Sequence, residues 1–223
     1  MIKAFGDVNF KTLPESLPLF PLSGALLLPH GHLPLNIFEP RYLSMTEDAL
    51  SSGRLIGIIQ PEKSYTDPVP DNETLYPVGC CGQIVSFEET EAGNLFIALK
   101  GLCRFKLGEE LEKKRGYRRS IVDFTPYIRD FQEDTSKIND RLRLLDAVKQ
   151  YFVLKNIDVD WEAIKAAADE TLVTSLSMIC PFESREKQAL LETQNMSERS
   201  KLLTSLIEME LHSSNYQTGS FQH

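Results

Sequence analysis

The chain has 223 residues, 42% hydrophobic and 25% charged, and its 24 Lys plus Arg against 32 Asp plus Glu give a formal charge of −8. This length allows one domain with an appendage or two small domains, and the composition excludes disorder over most of the chain. An acidic surface repels phosphate backbones, no apolar run approaches the ~18 residues that cross a bilayer, and Met1 to Asp7 lacks a signal-peptide pattern; a cytoplasmic protein away from membranes is expected.

Glycine and proline divide the sequence. Eleven of the twelve glycines lie between Gly6 and Gly116, and ten of the twelve prolines occur by Pro77. These residues supply turns and break helix interiors. The front half therefore reads as β-rich and the back half as helical, with domains expected at 1–126 and 127–215 and a disordered tail at 216–223. Leu17 to Phe20, Leu26 to Leu28 and Leu33 to Phe38 are short apolar runs punctuated by prolines. Glu39-Pro40 opens a helix with proline in its first turn; Tyr42, Met45 and Ala49 share one side of it, and Ser51-Ser52-Gly53 ends it. Arg54 to Gln60 reads as a buried strand, and the polar, Pro-containing stretch Pro61 to Leu75 as a mobile surface loop. Val78 to Glu88 and Asn94 to Lys100 flank a hairpin turn at Glu91-Ala92-Gly93-Asn94. Leu102 to Leu107 and Tyr117 to Phe124 follow, joined around Arg115-Gly116. About six or seven strands with one short helix predict a small, mostly antiparallel, closed or half-closed barrel.

Past Asp134 the period changes. Ile138, Leu142, Leu145, Val148, Tyr151 and Phe152 recur at helical spacing. Asp160 is placed to cap a helix starting at Trp161, and Leu172, Leu176 and Ile179 belong to another that stops before Pro181. Ser184 is the expected cap of the next, and Asn195-Met196-Ser197-Glu198 reads as a capping box for a helix with Leu202, Leu203, Leu206 and Ile207 on one face. About four or five helices in a bundle result.

Motifs for phosphate binding and hydrolysis are missing. No Gly-Lys dipeptide exists, so a P-loop is excluded, and neither Gly-x-Ser-x-Gly nor His-Glu-x-x-His occurs. His30-Gly31-His32 could chelate a metal, but no third ligand lies near in sequence and the pair reads as turn histidines. Cys80, Cys81, Cys103 and Cys180 form no Cys-x-x-Cys pair and read as buried reduced thiols. Glu88, Glu89 and Glu91 sit beside a hairpin turn, where charge serves solubility. The basic run Lys113, Lys114, Arg115, Arg118 and Arg119 is the one patch able to meet a phosphate; the alternative is a charged hairpin protecting an edge strand. No catalytic residue, cofactor or metal is expected.

The segment Leu17-Pro-Leu-Phe-Pro-Leu22, then Leu27-Leu-Pro29, then Leu33-Pro-Leu-Asn-Ile-Phe-Glu-Pro-Arg-Tyr-Leu43 resembles the amino-terminal substrate-recognition domain of the Lon protease family. Arg54 to Pro61, Val78 to Ile84 and Ala98 to Phe105 match further on, in order. The back half is similar to the helical half of stand-alone bacterial Lon-domain proteins, through Leu172 to Leu176 and Cys180 to Leu191. The resemblance covers roughly Pro14 to Leu211. It implies an α+β protein: a PUA-like, mostly antiparallel β pseudo-barrel followed by a helical bundle. It also implies a non-catalytic module that binds unfolded or exposed protein segments, since the ATPase and Ser-Lys protease modules of full Lon enzymes find neither room nor motif here. A separate ATPase or protease is the implied partner. Within the family string, Phe38, Glu39, Pro40, Arg41 and Tyr42 are the candidate peptide-binding residues. Either they form a surface groove, or Phe38 and Tyr42 pack inward while Glu39 and Arg41 pair at a strand-to-helix turn. The second functional reading is an RNA-binding PUA-like module using residues 113–119, which the net charge disfavours.

Overall fold

The structure, a computed structural model, describes residues 9–219 except 64, 66, 67, 133 and 135, with side chains described up to residue 213. The contacts divide the chain into two units, Met1–Glu133 with Pro181–Leu191 and Asp134–Cys180 with Glu192–His223.

The first unit holds six strands, β1 Ser16–Pro21, β2 His32–Ile37, β3 Leu55–Ile59, β4 Val78–Glu89, β5 Leu95–Lys114 and β6 Tyr117–Asp123, with helix α1 at Pro40–Leu50. They pair in the order β2-β5-β4-β3-β1-β6, and a further β5–β6 pairing closes β5, β4, β3, β1 and β6 into a ring. All pairs are antiparallel except β1 with β3. The predicted mostly antiparallel barrel in an α+β protein is therefore what forms.

Alternation fills the ring. Leu17 and Leu19, Leu55 and Ile59, Cys81, Cys103 and Phe105, and Val122 point inward at a two-residue period and are buried together with Leu75 and Phe124. Phe105 needs space opposite. A Cβ at Gly79 would lie 2.5 Å from its ring and 2.7 Å from the Ile58 carbonyl, so glycine is what seats the ring.

The two segments 94–100 and 102–107, read separately from sequence, are parts of one 20-residue strand. Gly101 passes through the middle of it. His30 N donates to its carbonyl at 2.9 Å and its own N–H donates to Gly31 O at 2.8 Å. A Cβ there would fall 2.0 Å from Leu28 O, closer than any side chain can approach. Leu26 to Leu28 is thus a buried connection pressed on β5, with no strand of its own.

Pro61 to Leu75 is fastened: Pro61 bridges to Leu75, Val69 is buried, and the Val69 carbonyl accepts from Arg41 at 3.1 Å. The expectation of a mobile loop missed these anchors because they are non-local: Arg41 lies 28 residues before Val69, and the Pro61–Leu75 bridge joins the two ends of the stretch. All four cysteines are free and buried. Burial, aided by the Asp130 carboxylate, pushes the Cys103 thiol up to about 12, and burial raises Cys80 and Cys81 as well.

Helix α5, Ser184–Glu192, belongs almost entirely to this unit, although the sequence places it among the back-half helices. Buried polar groups fix it there. Gln60 Nε2 donates to Ser184 O at 3.1 Å, Gln188 Nε2 to Val78 O at 3.0 Å and Lys187 Nζ to Gly24 O at 2.7 Å. Arg104 donates to Leu191 O at 3.1 Å while forking onto Asp130 at 2.7 and 2.9 Å. That pair also holds the short 3-10 segment Thr125–Phe131 to β5.

The second unit contains α2 Arg141–Leu154, α3 Trp161–Ala166, α4 Asp169–Ile179 and α6 Met196–Gly219. Leu144, Val148, Tyr151, Leu172, Val173, Leu176, Leu203 and Ile207 are buried, and α6 packs against α2 and α4. Asp160 accepts from Ala163 N at 3.0 Å as the predicted cap of α3. Asn195 accepts from Glu198 N at 2.9 Å, but the Glu198 carboxylate reaches back to Gln194 N, one residue earlier than a capping box requires. Leu142 and Ile179, members of the helical-spacing series, are exposed. Of the tail expected at 216–223, residues 220–223 lie outside the described residues.

The Gly101 contact is testable. Gly101→Ala is expected to lower the unfolding free energy by about 1–3 kcal/mol in urea titrations, the range for forcing atoms into a packed site. An unchanged midpoint would mean that the 28–31 turn moves freely away from β5.

Candidate functional site

The family string occupies the β2–α1 junction. Glu39 is the N-cap residue of α1 but its side chain caps nothing; Pro40 takes the first helical position. The Glu39 carboxylate instead accepts from Arg41 Nε at 3.0 Å. Arg41 also donates to Val69 O and pairs with Asp71, which Lys113 reaches at 2.9 Å. Its guanidinium lies 4.6 Å from the centre of the Tyr42 ring, and that ring, 4% exposed, packs 4.1 Å from Phe20. Glu39, Arg41 and Tyr42 are thus turned to internal contacts that join β1, α1 and the 61–75 loop. Phe38 does not pack inward as the second reading had it: it is 58% exposed.

The basic run is also engaged. Arg115 and Gly116 both have positive φ, 49° and 89°, forming a two-residue turn that matches the twist of a hairpin. Lys114 pairs with Asp48 at 3.1 Å, and Arg115 with Glu47 at 2.8 Å and Asp48 at 3.1 Å. Arg118 pairs with Glu110 and donates to Glu73 O at 2.8 Å, and Arg119 donates to Glu112 O at 3.0 Å. With Lys113 on Asp71, every cation of the run faces a carboxylate or a carbonyl of its own chain.

A different surface is open. Beyond the ring, β2, the first part of β5 and the last part of β4 form a three-stranded wing. Cross-strand partners share a face. The pairs Pro34 with Ala98 and Ser86, and Asn36 with Phe96 and Glu88, therefore define one face. These side chains, with the backbone between them, line a trough of about 520 Å³. Phe96 is 50% exposed on it; Phe87, 51% exposed, takes the opposite face, where its register partner is Ile97. Strand β2 is the free edge of the wing, but Pro34 at its centre has no N–H, which blunts the addition of another strand.

The trough is absent from the sequence-based candidates. The signal for it was the alternation in Leu95 to Lys100, which puts an aromatic residue on the polar face of a strand. Among the described residues no group of three or more His, Cys, Asp or Glu is arranged to hold a metal ion, and no helix is long and apolar enough to cross a membrane.

The first unit is thus a closed barrel with a three-stranded wing and an open trough, and the second is helical. The model of the ATP-dependent protease La (LON) substrate-binding domain matches residues 16–209, and the chain belongs to that family. It is 27% identical over 214 residues to Lon protease 2 of Myxococcus xanthus and 25% identical over 199 residues to Lon protease of Dictyoglomus thermophilum. Those alignments take in 91% and 89% of this chain but 24% and 25% of the relatives, so the chain spans about a quarter of their length. Among solved structures, the Lon N-terminal domain protein from Xanthomonas campestris superposes with a TM-score of 0.59 at 22% identity, covering 85% of this chain and 97% of that one. The N-terminal domain of a Mycobacterium avium complex Lon protease gives 0.56 at 15% identity over 86% and 98%. These two likenesses bear on the fold.

Two predictions follow from the geometry at the junction. Arg41→Met releases Val69 and Asp71, so tryptic cleavage after the exposed Lys63 is expected to rise several-fold in limited digestion with helix content unchanged. At the hairpin, the Tyr117 hydroxyl donates to Asp48 at 2.7 Å and, with Lys114 and Arg115, holds that carboxyl below its ordinary value. A carboxyl held low in the folded state stabilises above the unfolded value of about 3.9 and loses that contribution as pH falls through the folded value. Asp48→Asn is therefore expected to cost up to about 1 kcal/mol at neutral pH, a difference that shrinks in acid urea titrations; a gap independent of pH would contradict it.

Proposed function

We propose that this protein binds exposed or unfolded polypeptide segments without cleaving them, and that the trough on the β2–β5–β4 wing is where they sit. Family membership supports the substrate class, and the trough is the observation that carries the location. An extended segment laid across Pro34, Ala98 and Phe96 would bury apolar surface, while Asn36, Ser86 and Glu88 offer polar partners at its margin. Phe38 is the member of the family string free to add contact area; Glu39, Pro40, Arg41 and Tyr42 shape the turn that presents it.

We further propose that captured segments pass to an ATP-dependent protease machinery, in the same polypeptide or on a separate partner, and that this happens in the cytoplasm, where four buried thiols stay reduced. The RNA reading loses its contact set, because the cations at 113–119 are paired within the chain.

The test is capture of chemically denatured against native client proteins on immobilised full chain, with Phe96→Ser as the variant. The reading expects preference for the denatured set and a loss of about tenfold in affinity for Phe96→Ser, the scale of one buried aromatic contact. Equal capture of both sets would overturn polypeptide recognition, and full retention in Phe96→Ser would move the site elsewhere.

A further inference from the structure

The charge around the trough is uneven. Glu88 lines it, and Glu89 and Glu91 follow at the turn that joins β4 to β5. Among the described residues no lysine or arginine forms an ion pair with any of these three. The opposite hairpin, by contrast, has all five of its cations matched. At the far end of the same face stand Lys100 and His32, register partners across β5 and β2. The trough therefore has Glu88 on its face at one end, with Glu89 on the reverse face of β4 and Glu91 in the adjoining turn, and Lys100 at the other end.

The edge geometry makes this charge matter. Pro34 interrupts the line of donors on β2, so a ligand cannot be held by a continuous ladder that ignores sequence. Recognition falls to side chains: an apolar group on Phe96, Ala98 and Pro34, and whatever flanks it. A strand advances ~3.4 Å per residue and the Debye length is ~8 Å at physiological salt. Residues within about two or three positions of the seated group therefore feel the carboxylates.

We infer that the trough selects extended segments in which an apolar residue is flanked by Lys or Arg, with the basic flank lying toward the β4–β5 turn. This rests on the trough being the polypeptide site. It gives the module a substrate preference, for cationic apolar stretches over acidic ones, set by Glu88, Glu89 and Glu91.

The experiment uses the full chain and three fluorescent peptides of equal length, sharing one Leu-Phe core and flanked by Lys, Ser or Glu. Anisotropy titrations at low salt are expected to show the Lys-flanked peptide binding about tenfold tighter than the Glu-flanked one, with the gap closing to about twofold in high salt. The combined variant Glu88→Gln, Glu89→Gln, Glu91→Gln is expected to bring the Lys- and Glu-flanked affinities together. Phe96→Ser is expected to weaken all three. Equal binding of Lys- and Glu-flanked peptides, with the Ser-flanked peptide still dependent on Phe96, overturns the charge selection and leaves the polypeptide reading intact. A preference that survives the triple variant overturns the assignment to these carboxylates, and no binding of any peptide overturns both.

Discussion

Strand β5 has to satisfy hydrogen-bonding partners on both of its sides, and they change along its length. Its first residues, to Lys100, pair with β2 and β4, those to Lys106 keep β4, and from Lys106 on it pairs with β6; Gly101, just past the end of the β2 pairing, bonds instead to the 30–31 backbone. A side chain at that point would strike the backbone of the 28–31 turn, and a break there would open the ring. The closed barrel, the wing projecting from it and the trough on the wing all follow from one strand being continuous through a position that only glycine fits.

Polar groups then fasten what the barrel cannot enclose. Gln60, Lys187, Gln188 and Arg104 are largely buried, and each donates to a backbone carbonyl. Such contacts have strict geometry, so they fix the position of α5 more narrowly than apolar packing alone. Arg41 does comparable work at the β2–α1 junction, where a residue of the family string is directed at Glu39, Val69 and Asp71. A recognisable motif here marks an anchoring point.

Charge is distributed in two ways with opposite consequences. Around the Arg115-Gly116 turn, acids and bases sit in matched pairs, which stitches α1 and the 69–73 segment to the barrel and leaves little field outside. Around the Glu91–Asn94 turn the carboxylates have no ion-pair partner among the described residues and lie near an exposed aromatic ring. The first arrangement suits a structural role, the second a surface that meets other molecules.

The amino-acid sequence by itself determined the class of fold. Gly and Pro density marks the barrel, the 3.6-residue spacing after Asp134 marks the helices, and the string from Leu17 to Leu43 identifies the family, because turn chemistry and periodicity are local properties. The Asp160 cap and the Arg115-Gly116 turn were legible for the same reason. What only the tertiary structure decided depends on partners distant in sequence: that 94–107 is one strand, that α5 joins the barrel unit, that Arg41 looks inward, and that Phe96 lines a trough. A strand carries no mark of which face will be covered, and an arginine no mark of which carboxylate will reach it. Those outcomes are set when segments tens of residues apart are brought to within a few ångströms.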